Sequence, residues 1–204
     1  ALYVPDSGRV RLRTQTLSGR KPHEVVQHGL ARTFQNIRLF ANMTALENVM
    51  VGRHVRTAAG VFGAILRDRT TRAEEQATTR RAQELLDYVG IGVHAHQLAR
   101  YMAYGDQRRL EIARALATDP VVLALDEPAA GMNPSETESL MTLLTRLRAD
   151  GVTILLIEHD MRLVMGLCDR VVVLDYGKKI AEGTPAVVRG DARVIEAYLG
   201  GVFT

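Results

Sequence analysis

Two adjacent carboxylates, Asp126 and Glu127, are the residues of this chain best suited to chemistry. They follow the short apolar run Val121–Leu125 and precede Pro128. Such a run is typical of a strand buried in a parallel sheet, and open α/β sheets bind ligands at the carboxyl ends of their strands. One carboxylate there can hold Mg2+ while the other acts on water as a general base. The pair predicts a nucleotide-hydrolysing site, although acidic strand ends before a proline turn are also common elsewhere.

A glycine upstream of this strand predicts a second feature, an anion-binding helix end. Gly105 precedes DQRRLEIARALA, whose apolar residues recur at helical spacing until Pro120 ends the helix. The start of such a helix presents unpaired backbone N–H groups and the positive end of its dipole, which favour phosphate oxygens. Glycine before a helix is also an ordinary cap, so the residues alone leave both interpretations open.

Gln35 and His159 each follow another predicted strand. Gln35 comes after Leu30–Phe34, and His159 comes after Val152–Ile157. Taken alone, each is more simply a solvated or structural side chain, and a role for it depends on the family resemblance described below.

The surrounding elements predict an α/β fold. Thr44 and Glu47 form a capping box, and Asn133 with Pro134 and Glu136 begins another helix. Further helices are predicted over 71–89, 134–149, 185–188 and 192–199, with strands over 10–12 and 171–174 and a hairpin turn at Tyr176-Gly177. Strand–helix–strand alternation with short connections implies a right-handed parallel sheet, interrupted by a helical block over about 42–117.

Composition excludes several classes of protein. The 204 residues are 47% hydrophobic and 24% charged with a net charge of +3, which suits a folded domain and gives no argument for nucleic-acid binding. The single cysteine cannot form an intramolecular disulfide. No apolar run approaches the roughly 20 residues that span a bilayer, so we expect any membrane connection to run through a partner.

Taken together and in order, these motifs resemble those of the ATP-binding-cassette (ABC) ATPases. The strings RTFQNIRLF, AYGDQRRLEIARAL, LDEPAAGMNP, LLIEHDMRLVM and IAEGTP are most similar to the ATP-binding subunit of branched-chain (hydrophobic) amino-acid importers. The resemblance implies one ABC ATPase domain over 1–204 with a P-loop NTPase (RecA-like) fold, α/β with a parallel sheet and an inserted α-helical subdomain. The core would comprise 1–41 and 118–204, and the helical subdomain 42–117, including the signature helix.

The resemblance also implies a role for each site residue. Glu127 would be the general base, Gln35 the Q-loop glutamine that contacts Mg2+ and water, and His159 the switch histidine at the γ-phosphate. Asp126 would hold Mg2+, and Asn133 would take the place of the D-loop aspartate. The signature motif, which contacts a nucleotide held by a partner subunit, would comprise Met102, Ala103, Tyr104, Gly105, Asp106 and Gln107.

Within the signature motif, several positions depart from the family's LSGGQ pattern. Ala103 lacks the hydroxyl that normally reaches the γ-phosphate, Tyr104 replaces a glycine and Asp106 replaces a glutamine. The A-Y-G core resembles one transporter subfamily. Because a carboxylate near a triphosphate is electrostatically unfavourable, we expect Asp106 to cap the helix instead.

The resemblance further implies the partners and the location. We expect an ATPase that uses ATP and Mg2+, pairs with a second identical or related ABC ATPase subunit, and drives permease subunits. It would be cytoplasmic and peripheral on the inner face of the cell membrane, with a solute-binding protein acting indirectly and no nucleic-acid partner. Two alternatives stay open: a non-transport ABC ATPase, and a non-catalytic short subunit that donates its signature helix in trans.

The family's phosphate loop, G-x-x-x-x-G-K-[ST], does not occur in these 204 residues. We expect it upstream of residue 1, which would make the domain N-terminally incomplete. Since that loop supplies much of the phosphate binding, residues 1–204 alone are predicted neither to bind ATP tightly nor to hydrolyse it at a useful rate. Calorimetric titration with ATP checks this, and a stoichiometric complex would contradict it.

Overall fold

The computed structural model describes residues 5–56 and 69–199, and the chain divides into two compact units, Ala1–Leu155 and Leu156–Thr204. The strands of the first unit are β1 (Arg11–Leu12), β2 (Gln15–Thr16), β3 (Leu30–Arg32), β4 (Val122–Asp126) and β5 (Thr153–Ile157). Its helices are α1 (Pro22–Gln27), α2 (Ala45–Arg53), α3 (Arg69–Tyr88), α4 (Tyr104–Leu116) and α5 (Pro134–Ala149). The last residues of β5 belong to the second unit. Short 3-10 helices lie at His54–Arg56, Gly92–His94 and Ala99–Tyr101.

The sheet that carries the candidate site has the strand order β3-β4-β5. β3 and β4 are parallel, with Leu30 opposite Val122 and Arg32 opposite Ala124, as the α/β prediction requires. The middle residues of β4, including Leu123 and Leu125, are fully buried, as expected from their apolar run.

β5 forms at the predicted place. A run of apolar residues is typical of a buried strand, but Leu155 and Ile157 are 54% and 49% exposed. An apolar run predicts a strand, and the side from which it is covered depends on tertiary structure.

Between residues 42 and 117 the described elements are helical, apart from one isolated bridge between Thr44 and Leu98. α2 packs against both α3 and α4.

The predicted capping box begins α2: the Thr44 hydroxyl accepts from the Glu47 N–H, and the Glu47 carboxylate accepts from the Thr44 N–H. The hydrogen bond from the Thr44 backbone N–H lowers the pKa of the Glu47 carboxyl, and the hydrogen bond from the Thr44 hydroxyl lowers it by a smaller amount. The boundary of a helical subdomain at 42–117 remains a prediction.

The second unit contains α6 (Met161–Leu167), β6 (Val171–Asp175), β7 (Lys178–Gly183), α7 (Pro185–Arg189), α8 (Ala192–Val194) and a π-helical turn at Ile195–Leu199. β6 forms where the strand at 171–174 is predicted, and it pairs with β7 as an antiparallel hairpin. The predicted turn at Tyr176-Gly177 is confirmed, with φ angles of 44° and 77°. The buried core of this unit consists of Val164, Val171, Val173, Ala181, Val188 and Val194.

Gly52 sets the distance between α2 and α4. A Cβ built on Gly52 would overlap the backbone carbonyl oxygen of Arg114, which cannot swing aside as a side chain can. We therefore expect Gly52→Ala to lower the free energy of unfolding by about 1–3 kcal/mol in denaturant titrations. A matched control is Gly190→Ala, whose Cβ would meet its nearest atoms at an ordinary 3.8 Å. Equal losses in the two variants would show that Gly52 does not set this distance.

Candidate functional site

The parallel pairing of β3 with β4 brings the predicted site residues together at the carboxyl edge of the sheet. The side-chain amide of Gln35 donates a hydrogen bond from Nε2 to Oε2 of Glu127 at 2.8 Å. Beside it, the Arg32 guanidinium donates to Oδ2 of Asp126 at 2.6 Å. Gln35, Asp126 and Glu127 are thus neighbours, and Arg32 is an additional charged member that the sequence analysis did not identify.

Glu127 has an unusual backbone conformation. Its φ is +43°, in the left-handed region that residues other than glycine rarely adopt. This conformation costs roughly 1–2 kcal/mol for an L-residue and persists only where the surroundings enforce it. The turn that follows, closed by a 3.1 Å hydrogen bond from the Ala130 N–H to the Glu127 carbonyl, is part of that enforcement.

The donor set at this edge suits Mg2+. Asp126, Glu127 and Gln35 offer the oxygen ligands that hard cations prefer, and the Arg32 guanidinium shows that Asp126 accommodates a positive charge. Residues 5–56 and 69–199 contain no group of three or more His, Cys, Asp or Glu side chains able to enclose a metal. Asp126, Glu127 and Gln35 are thus the residues at this edge whose oxygen atoms would fit Mg2+.

The helix predicted to carry the signature motif is α4, which begins at Tyr104, just before the predicted opening at Gly105 and Asp106. Ala103 is its N-cap in an extended conformation, and the Gln107 N–H makes the first helical bond to the Ala103 carbonyl at 2.9 Å. The Gln107 side chain donates to the Met102 carbonyl at 3.0 Å. The prediction that Asp106 caps the helix is wrong, because it lies within the first turn and the N-cap makes no side-chain bond.

Gly105 is buried against the first turn of α5. A Cβ on Gly105 would lie 3.0 Å from Oε1 of Glu136, so an intrachain contact already favours glycine here. Glu136 is held by the predicted capping box: the Asn133 N–H donates to Glu136 Oε2 at 2.9 Å, and the Glu136 N–H donates to Asn133 Oδ1 at 3.0 Å. The capping role of Asn133 is confirmed, while its D-loop role remains a prediction.

Tyr104 joins the signature helix to the loop between β4 and α5. Its hydroxyl donates to the Ala130 carbonyl at 2.9 Å. A Cβ built on Gly131 would lie 3.4 Å from the nearest atoms of the Tyr104 ring, so the ring packs closely against this glycine. Gly131 also has a φ of +78°. The residue that replaces a glycine of the usual signature pattern therefore has a structural contact within this chain.

Arg108 and Glu111 are functional-site neighbours that the sequence analysis missed. Both side chains are almost wholly buried and form a 2.9 Å ion pair between successive turns of α4. Arg108 also donates to the carbonyls of Phe34 and Gln35 at 2.7 and 2.8 Å. The sequence contains an indication of this pair, because Arg108 and Glu111 are three residues apart on one helix and Ile112, the next residue, lies in the buried core.

His159 lies in the second unit, between β5 and α6. Its side chain is 71% exposed, and its backbone N–H donates to Oε2 of Glu158 at 3.1 Å. Asp160, the next residue, caps α6 by accepting from the Arg162 and Leu163 N–H groups. The local structure therefore places His159 at an exposed loop position, and its role as a switch histidine remains a prediction.

Comparison with known proteins decides the family. The ABC transporter family model matches residues 1–130, and the model for branched-chain amino acid ATP-binding cassette transporters matches residues 178–204. The chain belongs to the ABC transporter family. It is 46% identical over 199 residues to the high-affinity branched-chain amino acid transport ATP-binding protein LivG of Escherichia coli strain K12, covering 97% of this chain and 78% of LivG. BraF of Pseudomonas aeruginosa, with the same descriptive name, is 43% identical with the same coverage.

Solved structures agree with this assignment to the ABC family. The ADP conformation of an ATP-binding cassette of an ABC transporter is 29% identical, with a TM-score of 0.79, over 97% of this chain and 79% of that one. The predicted family, α/β fold and ATPase class are thereby confirmed, and this ABC chain is the ATPase subunit of a transporter. The transport names of its relatives do not favour the non-transport alternative.

The backbone of Glu127 generates a stability prediction that is independent of catalysis. Glu127→Gly and Glu127→Ala both remove the carboxylate, but only glycine adopts a φ of +43° without strain. We expect the glycine variant to be the more stable of the two by about 1 kcal/mol, measured by chemical denaturation. An alanine variant at least as stable as the glycine variant would show that the backbone there is not strained.

Proposed function

We propose that this ABC ATPase hydrolyses ATP to power the import of branched-chain or other hydrophobic amino acids. The observation that carries the catalytic part is the 2.8 Å hydrogen bond between Gln35 and Glu127 at the sheet edge, beside Asp126. The solute class rests on the names of LivG and BraF, and on the branched-chain transporter model matched at 178–204.

Glu127 is proposed to take a proton from the attacking water. A carboxylate that serves as general base must be held in one orientation within reach of that water. The Gln35 amide, by donating to Oε2, holds the carboxylate in this way. The strained backbone of Glu127 further fixes the point from which its side chain projects.

Asp126 and Gln35 are the residues proposed to hold Mg2+. When bound, the cation would neutralise phosphate charge in the nucleotide. Arg32 is well placed to balance the charge of Asp126 when the cation is absent, since the two side chains form a direct ion pair.

The remaining site residues are proposed to act on a nucleotide shared with a second ATPase subunit. The start of α4, with Met102, Ala103, Tyr104, Gly105, Asp106 and Gln107, would face the partner's nucleotide through its backbone N–H groups. His159 would stabilise charge at the γ-phosphate, and Asn133 would contribute to communication between the two sites.

The proposed partners are a second ABC ATPase subunit, identical or related, and membrane-embedded permease subunits, with a solute-binding protein acting through the permease. In residues 5–56 and 69–199, no helix combines the length and apolarity needed to cross a membrane. The proposed location, peripheral on the cytoplasmic face of the cell membrane through contact with the permease, rests on the transport names of the relatives.

The proposed chemistry is tested in the full-length protein assembled with its permease and ATPase partners. We expect Glu127→Gln to lower kcat for ATP hydrolysis about 100- to 10,000-fold, the range for loss of a general base, with little change in ATP binding. Glu138→Gln, an exposed carboxylate on α5, is the matched control and is expected to retain full activity. A Glu127→Gln assembly with the kcat of the unaltered protein would remove Glu127 from the chemistry.

The solute class is tested separately, in vesicles that contain the same assembly and the solute-binding protein. ATP-dependent uptake of labelled leucine, isoleucine or valine is expected, and labelled glutamate should not enter. Uptake of short amides or urea without uptake of these amino acids would contradict the proposed solute class while leaving the ATPase assignment intact.

A further inference from the structure

The ion pair between Arg108 and Glu111 is the most deeply buried charged feature of the described residues. The two side chains are 0% and 2% exposed. Removing two charges from water costs several kcal/mol per ion unless hydrogen bonds compensate. This pair lies on the buried side of α4, within hydrogen-bonding distance of the backbone around Gln35, and the proposed chemistry assigns it no role.

The compensating hydrogen bonds come from the segment that carries Gln35. Arg108 donates to the Phe34 and Gln35 carbonyls at 2.7 and 2.8 Å. Glu111 accepts through Oε1 from the backbone N–H groups of Phe34 and Arg38, at 3.5 and 3.3 Å. The ion pair on α4 therefore binds backbone groups of both kinds around Gln35: Arg108 holds carbonyl oxygens and Glu111 holds N–H groups.

The pair is not arranged for stability alone. Arg108 has a further 3.3 Å contact from Nη2 to the Tyr104 hydroxyl, but its Nε is buried with no hydrogen-bond partner in the part of the chain that the structure describes. An unpaired buried donor is costly. A leucine or methionine at this position would avoid that cost, but it could not hold the Phe34 and Gln35 carbonyls.

We propose that Arg108 and Glu111 are positioning residues, which fix the backbone of residues 34–38 so that the Gln35 amide reaches Glu127. The inference rests on the proposed function, since it assigns Gln35 and Glu127 to ATP hydrolysis. It adds that the signature helix sets the position of the glutamine within the same chain. The pair acts through Gln35 and does not itself touch the nucleotide.

Hydrogen exchange of the full-length protein tests the physical part of the proposal without any activity measurement. The double variant Arg108→Met with Glu111→Leu replaces the pair with apolar side chains of similar size, a change that often preserves stability. We expect the Phe34 and Arg38 amides to exchange at least about tenfold faster, while amides in the interior of α4 stay protected. Unchanged exchange at both amides would overturn the proposal.

The matched control is Arg109→Met, on the neighbouring position of the same helix. Arg109 donates to the Val89 carbonyl and to the Ser139 hydroxyl, away from residues 34–38. Its loss is expected to leave the Phe34 and Arg38 amides unchanged. Should the apolar double variant not fold, Arg108→Gln with Glu111→Leu, which keeps one polar side chain, tests the same two amides.

A mutant cycle in the assembled transporter tests the link to Gln35. Gln35→Ala alone, the apolar pair alone, and the combination are compared by steady-state ATP hydrolysis. If the pair acts by positioning Gln35, each change lowers kcat at least about tenfold with the KM for ATP within about twofold, and the combination is no slower than Gln35→Ala. Losses that multiply in the combination would show that the pair acts independently of Gln35.

Two results separate a failure of the ion pair to position Gln35 from a failure of the protein to act as an ATPase. An unaltered assembly without ATPase activity would defeat the proposed function, while the hydrogen-exchange result would still show whether the pair holds residues 34–38. Normal activity in the unaltered assembly, together with multiplying losses in the cycle, would defeat the inference and leave the proposed function standing.

Discussion

The buried ion pair of Arg108 and Glu111 constrains the backbone that carries Gln35. Its charges are tolerable only because the backbone of residues 34–38 completes their hydrogen bonds. Breaking such a pair by removing one partner typically costs about 3–5 kcal/mol, since the other charge is then buried alone. The segment after β3 is therefore tied energetically to α4, and the backbone that carries Gln35 has a defined place.

The arrangement of the candidate site follows from this constraint. Gln35 is held by α4 from one side and reaches Glu127 on the other, and Glu127 in turn projects from a strained turn. Tyr104 joins the same helix to the loop after β4 through the Ala130 carbonyl. Direct hydrogen bonds thus connect the start of α4, the segment around Gln35 and the loop after β4. A shift of α4 would therefore move the residues that are proposed to perform hydrolysis.

Local patterns in the sequence predicted the elements well. The capping boxes at Thr44 and Asn133, the strand before Asp126 and the Tyr176-Gly177 turn each depend on a few neighbouring residues, and all are present. The family, the fold and the ATPase class followed from the order of the motifs and are confirmed by the relatives. The roles of individual site residues, the boundary at 42–117 and the solute remain proposals.

What the sequence did not predict depends on contacts between distant segments. The exposure of β5, the ion pair of Arg32 with Asp126 and the cluster around Arg108 are all set by which elements lie side by side. Asp106 was expected to cap α4, but the helix begins at Tyr104, so that Ala103 stands at the N-cap and Asp106 lies three residues further on, inside the first turn. The tyrosine at position 104, where the usual signature pattern has a glycine, is likewise explained by a contact between distant segments, because its ring packs against Gly131.

That one buried ion pair sets the position of Gln35, a residue proposed to act in catalysis, is tested most directly by a crystal structure of the variant with Arg108→Met and Glu111→Leu. The account predicts an intact α4 and a Gln35 amide displaced beyond hydrogen-bonding distance from the Glu127 carboxylate. A structure in which the 2.8 Å bond from Gln35 to Glu127 persists without the pair would contradict it.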